Sequence, residues 1–373
     1  MSFYRDVLIC TVGTSLLNHL DRAATGELQE AFRSRNAKGL ALALLSQDPE
    51  DRSLGAEINS ITSILCKQIL RGRRRLVFLV SDTPDGAFLG QVLRLYYEHA
   101  RNPHRFQDVE VQTLTGLTDA DAQRFRVDGL RNLVRAIARE VRRETSQRLV
   151  INATGGYKAQ ISFAGMIGQA LEIPVCYLFE RFSEVIDLPP QPIALDLSFW
   201  LEQVDLFFAL ARDELEYNPA QKEEKFAALV EEIEVEGRKV VGLSAVGQLF
   251  HESYQHWFDQ QRRQILPPAS EMPPEAKKII YEDHNHGRHP GLESYLRRLL
   301  EVPYVTRINT FYYNPDLVVP CYFRRTRDDR LDTLEGGYSD GKATTKFTIY
   351  LTAKSILERQ GALADLSMRL SFN

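Results

Sequence analysis

Two short stretches carry residue types that could hold an anion. The first, CTVGTSLLN (Cys10–Asn18), sets Gly13, Thr14 and Ser15 directly after an apolar run. The second, INATGGYKAQISFAG (Ile151–Gly165), sets Thr154, Gly155, Gly156 and Lys158 between an apolar run and a segment of small residues. If each run is a buried strand and each following segment a helix, both loops stand at the carboxyl edge of a sheet. Unpaired N–H groups at a helix start and the helix dipole then point at one spot and favour negative charge there. Glycines let the backbone approach such a ligand, hydroxyls add hydrogen bonds, and Lys158 adds a full positive charge. The second stretch does not have the spaced glycines of a dinucleotide fingerprint or of a Walker loop. SDTPDG (Ser81–Gly86) follows a third apolar run and belongs at the same edge.

A second chemistry is written near the end of the chain, in KFTIYLTAKS (Lys346–Ser355). As a strand it turns Phe347, Ile349, Leu351 and Ala353 to one side and Lys346, Thr348, Tyr350, Thr352 and Lys354 to the other. Lysines and a tyrosine on one face suit a phosphate backbone and a stacked base. Arg324 and Arg325 on the neighbouring expected strand, and Arg307 on the one before, enlarge that basic face. Such groups could cleave RNA without a metal, by orienting the 2′-hydroxyl, removing its proton and stabilising a doubly charged phosphorane. Metal-dependent cleavage would need a carboxylate followed by Glu-x-Lys on a strand, and the late strands carry no such trio. His284, His286 and His289 in EDHNHGRHPG leave a metal site open, because imidazoles at i and i+2 can share an ion.

The elements that must place these groups can be read from periodicity. VLICTVG, RRLVFLVSD, VEVQTLTGL, RLVINATGG and PVCYLFE read as strands. LGAEINSITSILCKQIL, FLGQVLRLYYEHA and FRVDGLRNLVRAIAREVRRE read as helices between them. Strands alternating with helices, several of the strands apolar throughout, predict an α/β fold with a parallel sheet covered on both faces. Ligands of such sheets bind beyond the carboxyl ends of the strands. This first domain spans about residues 1–200. Residues 201–270 read as a helical, charged connector that includes KEEKFAALVEEIEVEG, with VVGLSAVGQLF as the wing and helix of a winged-helix-like unit. LPPASEMPPEA (266–276) reads as a linker. Residues 275–373, helix first and antiparallel strands after, predict a small α+β domain.

Composition restricts the class. With 44% apolar and 26% charged residues, the chain has the make-up of a soluble globular protein. No apolar stretch approaches the roughly 20 residues that cross a bilayer, and MSFYRDVLICTVG reads as a first strand rather than a secretion signal. Cys10, Cys66, Cys176 and Cys321 form no CxxC pair, which argues against a zinc site and fits a reducing cytoplasm. The net charge of −4 arises before residue 271, and the tail after it is close to neutral and rich in histidine.

TVGTSLL after the first strand and NATGGYKAQ after a later one resemble the two signature loops of CARF domains, the sensory domains of type III CRISPR effectors. The resemblance covers about the first 200 residues. It implies a homodimer that binds a cyclic oligoadenylate across its dimer cleft, with cyclic tetra-adenylate as the expected activator and no resident cofactor. Thr14 and Ser15 would then touch phosphate and ribose, Gly155 and Gly156 would offer N–H groups, and Lys158 would meet phosphate.

CARF domains usually control a nuclease. HEPN ribonucleases need Arg, four to six intervening residues and then His along one helix, and residues 201–373 hold no such pair. The order of the last elements, with a basic residue ending the final strand, is similar to the RelE family of mRNA interferases, which cut mRNA in the ribosome without metal. That resemblance implies a catalytic set drawn from Arg325, Lys354, Arg307, His289 and Tyr350. Together the halves resemble CRISPR-associated interferases built from a CARF and a RelE domain. A metal-dependent nuclease, a ring nuclease acting on its own activator and a ligand-gated transcription regulator remain alternatives. The acidic run EEKFAALVEEIEVE argues against the last, since DNA contact needs a basic surface.

Overall fold

The computed structural model describes residues 4–23, 25–179, 182–191, 198–221, 223–235, 237–283 and 288–370. The chain divides into two compact units. One comprises Met1–Ala194, Asn218–Glu234 and Leu243–Ser253, and the other Leu195–Tyr217, Val235–Gly242 and Tyr254–Asn373. The middle of the sequence is therefore shared between them.

The first unit runs β1 (Val7–Thr11), α1 (Ser15–Ala23), α2 (Gly26–Arg33), α3 (Ala37–Leu44), α4 (Gly55–Cys66), β2 (Arg75–Ser81), α5 (Pro84–Glu98) and β3 (Asp108–Leu114). The short α6 (Ala122–Arg124) leads through one wide turn into α7 (Leu130–Glu144), followed by β4 (Leu149–Asn152), α8 (Lys158–Ala170), β5 (Val175–Tyr177) and β6 (Ile186–Leu188). The sheet order is β3-β2-β1-β4-β5-β6, parallel except for β6. As the apolar runs predicted, β1, β2 and β4 are buried along their whole length. Leu8, Cys10 and Phe78 pack toward α1, α3, α4 and α5, while Ile9, Leu79 and Ile151 pack toward α7 and α8. Strand order reverses at β1, with β2 on one side and β4 on the other. The loops after β1 and β4 therefore leave toward opposite faces and open a crevice, the place where doubly wound sheets bind ligands.

At the other end of the strands, buried Arg75 is held by Glu110 and Glu140, and Arg148 and Arg74 pair with Asp6. A guanidinium at that depth persists only because carboxylates surround it.

In the second unit α9 (Ser198–Glu202) and α10 (Val204–Ala211) set buried Trp200 against Tyr254, with ring centroids 6.0 Å apart. KEEKFAALVEEIEVEG lies mostly within Asn218–Glu234, which belongs to the first unit. Expected to be helical, it instead makes a single turn at Glu224–Phe226 and then β7 (Val230–Val235). Val230, Ile233 and Val235 are β-branched and two of them recur close to strand period, so the extended form prevails over the helix propensity of the glutamates. β8 (Arg238–Leu243) and α11 (Ala245–Ile265) follow, matching the strand-then-helix reading of VVGLSAVGQLF.

The expected linker is part of the second unit's fold. Ser270 donates its N–H to the Pro303 carbonyl at 2.9 Å, and Pro268 accepts from the Thr352 hydroxyl. Beyond it come β9 (Lys278–Tyr281), α12 (Leu292–Leu300), β10 (Val305–Asn314), β11 (Tyr322–Arg325), β12 (Thr333–Ser339), β13 (Thr344–Leu351) and α13 (Ile356–Leu370). The sheet order is β11-β12-β13-β10-β9, antiparallel except for the β9–β10 pair. Two of these strands escaped the sequence reading. β9 precedes the helix, and β12 carries paired glycines that weaken any strand pattern. With β12 in place, Arg324 and Arg325 stand two strands from Tyr350 rather than beside it.

Candidate functional site

The two glycine loops meet. A Cβ added to Gly13 would lie 2.6 Å from the Gly156 nitrogen, and one added to Gly155 would lie 2.9 Å from the Gly13 nitrogen. Gly156 has φ of +110°, which a side chain would strain. The Thr11 hydroxyl donates to the Gly155 carbonyl at 2.5 Å and joins the loops from below. Among the described residues, the N–H groups of Thr14, Gly155 and Gly156 have no protein acceptor. α1 and α8 start beside them, so dipoles and unpaired donors converge where the sequence placed an anion.

The carboxylate beneath these loops escaped the sequence reading. Glu57 of α4 is 1% exposed, and its Oε1 accepts the Gly13 N–H at 2.7 Å. A Cβ on Gly155 would stand 2.1 Å from the same oxygen. Its Oε2 is buried without a partner. Burial pushes the Glu57 carboxyl up to about 7, against the opposing pull of the Gly13 N–H. The groups that face it are the Cys10 thiol on β1 and the Tyr97 phenol on α5, both themselves raised chiefly by burial. The available signal was an acid on the apolar stripe of Ile58, Ile61 and Leu65.

Above the loops lies a cleft of about 370 Å³ lined by Val12, Gly13, Thr14, Ser81, Thr83, Asp85, Asp119, Gly156 and Tyr157. The Thr83 hydroxyl caps α5 by accepting from Gly86 at 3.0 Å. The Tyr157 ring stands edge-on to Phe125 with centroids 5.2 Å apart. Asp85 pairs with Arg35 at 2.7 Å.

Two expected ligand groups are directed elsewhere. The Ser15 hydroxyl accepts from the Ala56 N–H at 3.1 Å. The Thr154 hydroxyl donates to Asn152 Oδ1 at 2.7 Å and accepts from Leu178 N at 3.0 Å. Both serve the loops rather than the cleft. Lys158 is exposed at the first position of α8, beside the cleft but outside its lining.

In the second unit the alternation read from KFTIYLTAKS holds, with Ala353 buried and Lys354 exposed even beyond the end of β13 at Leu351. Phe347, Ile349 and Leu351 are buried, while Lys346, Thr348 and Tyr350 are half-buried on the other face. Three cations lie over aromatic rings there: Arg307 over Tyr350 at 3.9 Å, Lys346 over Tyr312 at 5.0 Å and Arg324 over Tyr322 at 5.0 Å. Arg307 and Tyr350 are cross-strand partners. Glu335 accepts from both Tyr322 and Arg324 at 2.6 Å.

The expected catalytic set does not assemble around one point. Strand alternation turns Arg325 away from Arg324, and it sits 3.6 Å from Asp205. β13 ends before Lys354, whose N–H donates to Glu358 at 2.6 Å at the entry to α13. His289 is 2% exposed, with Nδ1 2.8 Å from the Thr345 hydroxyl and Nε2 3.2 Å from Asp340, between Tyr313 and Tyr338. Such enclosure is that of a packing clamp. His284 and His286 lie outside the described residues. Among the described residues no group of three or more His, Cys, Asp or Glu is placed to hold a metal ion, and no helix is long and apolar enough to cross a membrane.

A family described as CRISPR-associated protein (Cas_APE2256) matches residues 52–191, a span that holds Glu57 and the TGGYK loop. No curated protein matches the chain. Among solved structures, that of Can2 from Sulfobacillus thermosulfidooxidans in complex with cyclic tetra-adenylate aligns with 70% of this chain and 67% of its own, at 11% identity and a TM-score of 0.25.

Proposed function

We propose that the first unit is a CARF-type sensor that binds a cyclic oligoadenylate, and that this ligand switches on a ribonuclease in the second. The observation that carries the reading is the meeting of the Gly13 and Gly155–Gly156 loops at the point where strand order reverses, with unpaired N–H groups of Thr14, Gly155 and Gly156 beside two helix starts. The match of residues 52–191 to a CRISPR-associated family supports the same assignment. A phosphodiester would lie on those N–H groups, with Lys158 reaching it from the rim. The cleft's carboxylates and hydroxyls, Asp85, Asp119, Ser81 and Thr83, would take hydrogen bonds from ribose or base.

For the second unit the reading is a metal-independent RelE-type mRNA interferase acting on ribosome-bound mRNA. The support is the sheet face on which Arg307, Lys346 and Arg324 lie over tyrosines, a surface suited to phosphates and stacked bases. A second copy of the chain would complete the sensor, and the exposed Phe179, Phe182, Ile186 and Leu188 around the edge strand β6 give it an apolar surface to cover. The deciding experiment incubates the purified chain with cyclic tetra-adenylate and either free RNA or mRNA on ribosomes, with EDTA or with magnesium. Ligand-dependent cleavage that survives EDTA is the expected result. Cleavage that needs magnesium overturns the metal-independent reading, and loss of cyclic tetra-adenylate without RNA cleavage points to a ring nuclease.

A further inference from the structure

The second unit holds a cleft of about 410 Å³ at the edge strand of its sheet, between α10 with the turn that follows it and β11 with the segment that leads into it. Four cations line it, Arg212, Arg324, Arg325 and Lys346, against two carboxylates, Asp205 and Glu214. The cations come from both faces of the sheet, because the cleft wraps the edge strand: Arg324 and Lys346 belong to the polar face and Arg325 to the other. Among the described residues Lys346 has no carboxylate partner, only the Tyr312 ring. Arg325 is loosely paired, 3.6 Å from Asp205. Arg324 is held by Glu335 at 2.6 Å and Arg212 by Glu214 at 3.0 Å, so the charge left over is that of Lys346 and of the loosely paired Arg325, which suits a phosphodiester.

Glu214 differs from Asp205. It is half-buried, with Arg212 Nε 3.0 Å from Oε1. Burial raises its carboxyl from the ordinary value in spite of that arginine. A carboxylate moved toward neutral pH in a cleft of cations has the properties of a general base. Of the residues expected from sequence to be catalytic, His289 is enclosed and Lys354 lies beyond the strand.

We propose that this cleft is the RNA-cleaving centre of the second unit, with Glu214 as general base and Lys346, Arg324 and Arg325 holding the scissile phosphate. The proposal rests on the ribonuclease reading above and gives it a location and a base. Glu214 takes the proton of the 2′-hydroxyl, and the 2′-oxygen bonds to phosphorus as the bond from phosphorus to the 5′-oxygen breaks. The departing 5′-oxygen takes a proton from water, and the hydroxide left behind recovers the proton held by Glu214. The products are a 2′,3′-cyclic phosphate and a 5′-hydroxyl, with no net change in protons. Lys346 and the two arginines meet the charge that grows on the non-bridging oxygens.

The test measures single-turnover cleavage by the full chain with cyclic tetra-adenylate, on free RNA and on ribosome-bound mRNA, across pH 4 to 9. Wild type should give cyclic phosphate ends and a rate that climbs through the Glu214 titration. Glu214→Gln should lower the rate about a hundredfold and remove that climb, which a merely structural role would not do. Lys346→Ala should lower it to a similar degree, while Arg297→Ala, on the exposed face of α12, should leave it unchanged. Melting temperatures of all variants show whether each is folded. Full activity with the wild-type pH profile in Glu214→Gln overturns the site and leaves the ribonuclease reading standing, as does loss of cleavage in Lys354→Ala alone. Wild type that cleaves neither substrate overturns both.

Discussion

The Glu57 carboxylate lies 2.7 Å from the Gly13 nitrogen, beneath the place where the Gly155 loop crosses it. One buried acid thus ties α4 to both glycine loops, with no cation facing it among the described residues. Its carboxyl is raised from 4.5 to about 7, so between those pH values the folded chain holds a proton that the unfolded chain has lost. Stability therefore falls as pH rises from about 4.5 to 7, by on the order of 3 kcal/mol, and stays lower above that range. In Glu57→Gln this slope should vanish. Denaturant melts at pH 5 and pH 8 for both proteins measure it, and equal slopes would show that Glu57 does not titrate in that window.

The same acid predicts the pH dependence of ligand binding. An anion seated on the loops would make ionised Glu57 costlier still, so binding should take up a proton near neutral pH. Affinity for cyclic tetra-adenylate should be flat below pH 7 and fall above it, by no more than tenfold per unit. Calorimetry in two buffers of different ionisation heat counts the proton directly. A proton count of zero at pH 7.5 would separate Glu57 from the ligand.

Glycine substitutions separate close approach from simple flexibility. Gly155→Ala would drive a methyl group to 2.1 Å from the Glu57 oxygen and should abolish ligand binding. Gly165→Ala, in α8 with open space around it, should stabilise the fold by about 0.5–1 kcal/mol and leave affinity unchanged. Lys158→Ala should weaken binding by about 1–2 kcal/mol, the scale of a charge-assisted hydrogen bond. Titration of the three variants with cyclic tetra-adenylate ranks them.

His289 should matter for folding. Its contacts to Thr345 and Asp340 and its place among Tyr313 and Tyr338 make His289→Ala a cavity and a lost hydrogen bond, about 2–4 kcal/mol together. The N–H groups of Ala343 and Lys342, with His289, hold the Asp340 carboxyl down to about 2. The stability that Asp340 adds is present above the ordinary carboxylate range and is lost as pH falls toward 2. Chemical denaturation at pH 3 and pH 6 of wild type and Asp340→Asn tests this, the variant losing the difference between the two.

The first unit was legible because its signals are redundant. Uniform apolar runs marked β1, β2 and β4, and glycine with hydroxyl residues marked the loops after β1 and β4. Glu57 was lost because one acid inside LGAEINSIT changes little in a helix period. In the second unit the alternation of KFTIYLTAKS located β13 and the inward Phe347, Ile349 and Leu351. Sequence could not reveal that Gly336 and Gly337 sit in a strand between β11 and β13. The missing strand displaced Arg324 and Arg325 by one position across the sheet, and with it the expected catalytic set. Glu214 carries no motif, and it joins the basic cleft only through the fold of the chain after α10.

The last prediction concerns control. A ribonuclease acting on cellular mRNA would harm its host, so the proposed function requires the second unit to be weak until ligand arrives. Binding of cyclic tetra-adenylate should raise the cleavage rate at least tenfold while changing RNA affinity less. A tenfold change needs only about 1.4 kcal/mol of differential stabilisation between inactive and active states. Because binding free energies are reciprocal, RNA should tighten the sensor for its ligand by the same small factor that ligand tightens RNA. Gly155→Ala should then keep a basal rate that ligand cannot raise, whereas Arg325→Ala should bind ligand with wild-type affinity and cleave poorly with or without it. Cleavage rates and ligand affinities for wild type and both variants decide the matter. A wild-type rate that ligand leaves unchanged would end the switch, and a Gly155→Ala rate that ligand still raises tenfold would move the sensor away from these loops.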